Sequence, residues 1–244
     1  MLPEIAADEW AAALDAVAAE ALAQSRCDGP PVNALAVARA LGMTVISDAG
    51  QPGRGRYVRL RASGGRAPRP TIFLRPEARD ERIHWAAAHE IGEHMAARVF
   101  VLLGMDFREV HPRAREDAAN QFAGRLLLPT TWFAADAAAC GWDLAVLKSR
   151  YATASHELIA RRMLEFPRPA VISIFDQGRL YFRRGNLPGR TPPLSPPERA
   201  LWREVHQLAR PRAASAGPHT IRGWPIHEPG WKREILRVEV ELWT

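Results

Sequence analysis

Cysteine is nearly absent: Cys27 and Cys140 are the two in 244 residues, far apart and outside any Cys-x-x-Cys pair. That excludes a disulfide scaffold and a zinc ribbon and fits a reducing compartment, so the expected location is the cytoplasm. Lysine is scarce as well. Lys148 and Lys232 are the two, so arginine carries nearly all of the positive charge behind the net +6. Arginine excess beside abundant alanine is what GC-rich coding produces on its own, and the charge supports no more than a weak preference for acidic partners. No apolar run reaches the ~20 residues that cross a bilayer, and residues 1–10 carry acids where a secretion signal needs bases and an apolar core. Neither export nor membrane insertion is expected. Internal repeats and low-complexity tracts are missing too. What is there is an ordinary globular composition, 47% hydrophobic and 25% charged, long enough for one compact domain with one or two smaller units.

Apolar periodicity lays out the chain. Trp10, Leu14, Val17 and Ala21 recur at helical spacing over 8–24. A break at Asp28-Gly29-Pro30-Pro31 follows, and Asn33 is placed to cap a short helix through 41. Strands are predicted at 43–47, 56–61 and 71–74, with a Gly/Arg/Pro loop at 62–70. A helix beginning between 76 and 81 then carries Trp85, Ala88, Gly92, Met95 and Val99 on one side, and a second runs over 115–128 until Pro129 stops it. Glu116, Asn120 and Ala123 share a face of that second helix. Residues 131–166 read as short helices with helix-turn-helix periodicity, a pattern that a pair merely buttressing the preceding domain also shows. Beyond them, strands at 171–175 and 180–183 flank Asp176-Gln177-Gly178 as a hairpin. Ser195-Pro196-Pro197-Glu198 opens a helix with Leu201, Val205 and Leu208 inward, and 210–218 reads as a loop. Leu236, Val238, Val240 and Leu242 alternate with charged residues, which predicts a half-buried strand. The expected class is α+β, divided into 1–130, 131–166 and 167–244.

One stretch suggests chemistry rather than packing: His89-Glu90-Ile91-Gly92-Glu93-His94. Residues four apart on a helix lie about 40° apart around its axis, so positions 89 and 93 project together and can grip one ion. A zinc-protease helix reads His-Glu-x-x-His, with two His ligands and the Glu as general base. Here position 93 is Glu, and His94 comes one residue late, about 140° round from His89. Three arrangements are open on these residues. In the forward register His89 and Glu93 are ligands and Glu90 is the base. In the reversed one Glu90 and His94 are ligands and Glu93 is the base. In the third, a π-bulge advances His94 into the ligand position.

The run Glu116-Asp117-Ala118-Ala119-Asn120-Gln121-Phe122-Ala123-Gly124-Arg125-Leu126-Leu127-Leu128-Pro129 resembles the second signature of the ImmA/IrrE metallopeptidases, and Ala88-His89-Glu90-Ile91-Gly92 resembles their first. Both occur in the expected order and separation, and the resemblance runs from about 31 to 129, with a weaker echo beyond. It implies a zincin-like core ahead of the helical middle and the small α+β end. It also implies His89 as metal ligand, Glu90 as catalytic base and Glu116 as third ligand, which favours the forward register. Position 93 departs from the family, which has His there. With Glu93 as ligand, two carboxylates offset the whole charge of a divalent ion, so a water at the site is acidified less than in a His-rich one. Harder oxygen ligands move the relative preference toward Mn or Fe, though Zn remains the first expectation. His94, His84 and His111 are candidates for an alternative ligand or an oxyanion donor. The function implied is hydrolysis of a peptide bond in a helix-turn-helix repressor of the stress or phage-response type. The alternative is a catalytically weak or inactive member that acts by binding protein or DNA. Direct DNA reading is not expected, and the oligomeric state is open.

Overall fold

The computed structural model describes residues 5–60 and 68–240. The chain divides into two compact units, Met1–Ala139 with Lys148–Ser155, and Cys140–Leu147 with His156–Thr244. Both mix helix and sheet, so the class is α+β.

The first unit opens with α1 (Ala7–Gln24), whose Leu14, Val17 and Ala21 are buried as their spacing requires. Each such branched side chain contributes roughly 1.5–3 kcal/mol of burial. Asn33 caps α2 (Ala34–Ala40) by accepting from the Ala36 backbone N–H. Three strands follow, β1 (Thr44–Ser47), β2 (Gly55–Leu60) and β3 (Arg69–Leu74), in the order β1-β3-β2. β1 runs parallel to β3 and β2 antiparallel to it, which leaves β2 on an edge. β3 begins at Arg69 rather than at 71, so part of the predicted loop is strand; Arg61 and 62–67 lie outside the described residues. α3 (Asp80–Leu102) and α4 (Pro112–Leu127) carry the two signature runs. α4 starts three residues earlier than its periodicity suggests, because the His111 side chain caps it and Pro112 occupies its first turn, where a missing N–H costs nothing. Ala96, Phe100, Val110 and Ala118 form a core between these helices, with Trp10 tilted against Phe100 at 5.6 Å. α5 (Thr130–Ala139) completes the unit, and Tyr151, fully buried, donates to Asp136 Oδ2 at 2.7 Å.

The residues expected to form a separate helical segment are shared between the units: α5 lies in the first, α7 (His156–Arg162) in the second, and the residues of α6 (Leu144–Arg150) divide at 147/148. On α7, Arg161 pairs with Glu157 and lies over Phe182, while the buried Arg162 pairs with Glu165 and lies over Phe166.

The second unit is a five-stranded antiparallel sheet covered by a helix. Its strands are β4 (Ala170–Asp176), β5 (Arg179–Gly185), β6 (Arg212–Ala216), β7 (His219–Glu228) and β8 (Trp231–Val240), in the order β5-β4-β8-β7-β6. The β4–β5 hairpin turns at Gln177 and Gly178, both at positive φ, as a two-residue turn of this hand demands. The Ser195 and Glu198 side chains form the reciprocal cap of α8 (Pro196–Leu208). Leu201 and Val205 of α8 pack on Val171, Phe175, Ile221, Leu236 and Val238.

Three expectations are corrected here. The supposed loop at 210–218 holds β6, because Ala213, Ala214 and Ser215 pair with β7 although none has strong strand preference. Leu208 is exposed, since it follows the last inward turn of α8. β8 is buried on both faces, not one: Arg237 is 1% exposed, lies over the Trp142 ring at 5.3 Å, and pairs with Glu239. Mutual neutralisation lets that charged face go inside. Leu242, assigned to this strand from the sequence, lies outside the described residues.

Candidate metal centre

Closeness of α3 and α4 comes from a missing side chain. A Cβ on Gly92 would stand 2.9 Å from both the Cα and the carbonyl oxygen of Ala119, so only glycine lets the helices meet there. Ala88 of α3 and Ala123 of α4 are also buried. The crossing sets His89 and Glu93 of α3 opposite Glu116 and Asn120 of α4.

One ligating atom each from His89, Glu93 and Glu116 lies within 4.8 Å of the others. Among the described residues of this unit, that is the grouping of three or more His, Cys, Asp or Glu so arranged. Asn120 ties it together. Its Oδ1 lies 3.1 Å from His89 Nδ1, and its Nδ2 donates to Glu116 Oε1 at 3.1 Å. With Oδ1 as the acceptor, the His89 proton sits on Nδ1 and Nε2 keeps its lone pair, 3.6 Å from Glu116 Oε2. A histidine with its lone pair held toward two carboxylates is the donor set that a divalent ion needs, so the residues fit the group.

Glu90 is not a member of this grouping. It is buried, on the side of α3 that meets β2, and a Cβ on Gly55 would fall 2.6 Å from its Oε1. Burial is the main cause that pushes its carboxyl up to about 7, and the charges of Glu93 and Glu116 add to it; His89 and a hydrogen bond from the Tyr57 backbone N–H oppose it. The Glu93 carboxyl is also raised, by burial first and then by the Glu116 charge, against the pull of His89 and Arg115. Three carboxylates crowd one imidazole, an excess of negative charge that a cation relieves.

His94 lies outside the grouping. Tyr57 Oη lies 2.9 Å from its Nδ1, the two rings meet edge to face at 5.4 Å, and Arg59 Nε donates to Tyr57 Oη at 2.9 Å. Because Arg59 supplies a proton to that oxygen, the phenol's own proton is placed toward His94 Nδ1, which leaves His94 with an Nε2–H. Burial lowers the His94 pKa, and Arg59 and Arg98 lower it further, so the ring stays neutral. α3 is α-helical from Asp80 to Leu102 and contains no π turn. His111 is spent on capping α4, its Nδ1 accepting from the Arg113 backbone N–H at 3.2 Å. His84 has a pKa lowered by burial, against Asp80 and Glu81, and an Nδ1 without a hydrogen bond.

Sequence reading alone did not assign roles to Asn120, Gly55 or Tyr57. Asn120 was within reach, standing four residues from Glu116 on the same face. Gly55 and Tyr57 had no local signal, because their part depends on β2 packing against α3.

The pattern of the IrrE N-terminal-like domain matches residues 38–164. No curated protein matches. Among solved structures, a Mycobacterium tuberculosis transcriptional regulator superposes with a TM-score of 0.66, covering 93% of this chain and 75% of its own, at 17% identity. At that identity the likeness is one of fold. No helix among the described residues is long and apolar enough to cross a membrane.

Proposed function

The chain belongs to the IrrE N-terminal-like family, whose metallopeptidase character implies a zincin-like fold and a divalent metal, and from that membership and the site geometry we propose a metal-dependent endopeptidase that cuts a helix-turn-helix transcriptional repressor. The observation that carries this reading is the Asn120 bridge, which orients His89 and Glu116 together beside the buried carboxyl of Glu90. His89, Glu93 and Glu116 would hold the ion. When bound it supplies Lewis acidity to the scissile carbonyl. Zinc suits the set, and the second carboxylate makes Mn or Fe workable substitutes.

The chain's own groups account for the proton transfers. Glu90 takes a proton from the attacking water and delivers it to the leaving amine. A carboxyl near 7 is matched to that double duty at neutral pH. Gly55 makes room for it, and the Tyr57 N–H fixes its direction. Neutral His94, aligned by Tyr57 and Arg59, offers its Nε2–H as the donor for charge developing on the carbonyl oxygen.

The test is incubation of the metal-loaded chain with helix-turn-helix repressors from the same genome, beginning with any encoded beside it. Discrete cleavage is expected, and Glu90→Gln should lower its rate by about 10²–10⁴-fold while the ion at this centre is retained. Glu116→Ala should lose that ion. Undiminished cleavage by Glu90→Gln would assign the base elsewhere. A chain that holds the ion and binds the repressor without cutting it would be the non-catalytic regulator that Glu93 first suggested.

A further inference from the structure

In the C-terminal unit, buried carboxylates are matched with arginine. Glu198, 4% exposed, is gripped by Arg183 at 2.7 and 3.2 Å, and Glu239 is held by Arg168 at 2.6 Å and by Arg237. Glu234 is the exception. It is fully buried, yet its ion-pair partners among the described residues are two imidazoles, His206 Nδ1 at 2.8 Å and His227 Nε2 at 2.6 Å, both on the single oxygen Oε1. Its other oxygen accepts from Trp202 Nε1 at 3.1 Å. In an arginine-rich chain, two histidines converging on the most deeply buried carboxylate of the unit is a choice of ligands rather than of counter-ions. Burying a carboxylate costs several kcal/mol, which a cation beside it offsets.

We propose that His206, His227 and Glu234 form a second metal site, for a borderline transition ion of the zinc class. The three donors come from three elements: the last turn of α8, the end of β7 and the start of β8. Two imidazoles and one carboxylate are a donor set that zinc accepts readily, and imidazole excludes magnesium and calcium as natural occupants. Ligands around tetrahedral zinc stand roughly 3.3 Å apart, given bonds of about 2.0–2.2 Å. The present spacings of 2.8 and 2.6 Å therefore need each ring to open by less than an ångström. The supports are in place. Trp202 stacks on Phe175 at 4.7 Å with 15° between the rings, and its indole N–H fixes the carboxylate plane through Oε2. His206, with its side chain 32% exposed, marks the open side through which an ion enters and where a fourth ligand sits. No residue of this site belongs to α3 or α4, so it stands independently of the peptidase reading.

The test uses the full chain carrying Glu116→Ala, which removes the first centre's third ligand. After chelator treatment it is titrated with Zn²⁺ and, separately, Co²⁺. One ion per chain is expected to remain, with tetrahedral cobalt absorption and a thermal midpoint raised by about 5–10 °C at a hundredfold excess over Kd. Adding His206→Gln or His227→Gln should remove the ion, the absorption and the shift. His206→Gln is the safer variant, since that side chain is partly exposed, and its metal-free melting curve reports whether the unit still folds. Absence of a bound ion in the Glu116→Ala chain, or binding that survives both histidine substitutions, would overturn the proposal and leave a buried hydrogen-bonded carboxylate.

Discussion

The two His–Glu groupings of this chain use the same side chains in opposite settings. In the first unit, the Glu116 side chain is 57% exposed, the grouped His89, Glu93 and Glu116 come from two crossing helices, and a further carboxyl, Glu90, is buried outside that grouping. In the second, Glu234 is fully buried, two strands and a helix converge on it, and among the described residues no further carboxylate joins the grouping. Chemistry needs an accessible ion and a base whose pKa is tuned beside it. A fastening needs only donors held in place. On the readings proposed above, residue identity alone would not separate a catalytic centre from a structural one; exposure and the neighbouring buried carboxyl would.

The sharpest way to break this contrast is through the carboxylates that arginine serves. Glu239→Gln leaves Arg237 buried without its countercharge, and breaking such a pair costs about 3–5 kcal/mol, read by denaturant unfolding. The pH course follows from the sign of the shift. Burial alone would raise the Glu239 carboxyl, but the charges of Arg237 and Arg168 outweigh it and hold the pKa below its ordinary value. Its stabilisation is therefore complete above the unfolded carboxyl's value of about 4.3 and is lost as the pH falls through the lower folded value. The gap between wild type and Glu239→Gln should close over that acidic window. A gap that stays constant would show that the shape of the side chain matters there, not its charge.

A smaller effect tests the first centre. Asn120→Ala keeps all three ligands but frees the His89 ring and the Glu116 carboxylate, so metal affinity at that centre should drop about 10–100-fold while the His206 site is untouched. Isothermal titration separates the two. Unchanged affinity would mean that the helix crossing alone aligns the ligands.

Much of this was readable before any coordinates. α1, α3 and the capping box of α8 declare themselves through local spacing, and the two signature runs bring forward His89 and Glu116, which the structure places in one grouping. What stayed hidden depends on contacts made far along the chain. β6 consists of Arg212–Ala216, with no branched or aromatic residue to mark it. β7 contains Gly223 and Pro225, breakers in a local reading. Gly223 is the last position paired with β6, so Pro225 falls beyond the β6 pairing, where among the described residues no strand needs its N–H on that side. The same limit applies to the sites. Gly55 and Tyr57 matter because a sheet edge lies against α3, and His206 and His227 stand 28 and 7 residues from Glu234, a spacing that no motif reports. The helix-turn-helix periodicity of 131–166 was visible too, and on α7 its Arg161 and Arg162 pair with Glu157 and Glu165.

The mildest perturbation bears on why the first centre is two helices while the second is not. Gly92→Ala improves the intrinsic helix preference of α3 by about 1 kcal/mol. It also drives a methyl to 2.9 Å from the Ala119 backbone, where no side chain can rotate away, and overpacking of that kind costs about 1–3 kcal/mol. The net loss of stability should be small, about 0–2 kcal/mol. Its consequence for the site is disproportionate. α4 must retreat as a body, and Glu116 and Asn120 move away from His89 together, so metal affinity at the first centre falls while folding is barely altered. Thermal unfolding and metal titration on the same sample read the two effects separately. Equal losses in both would indicate that the crossing is a packing feature, and an unchanged affinity would mean that α4 can present Glu116 without that closeness.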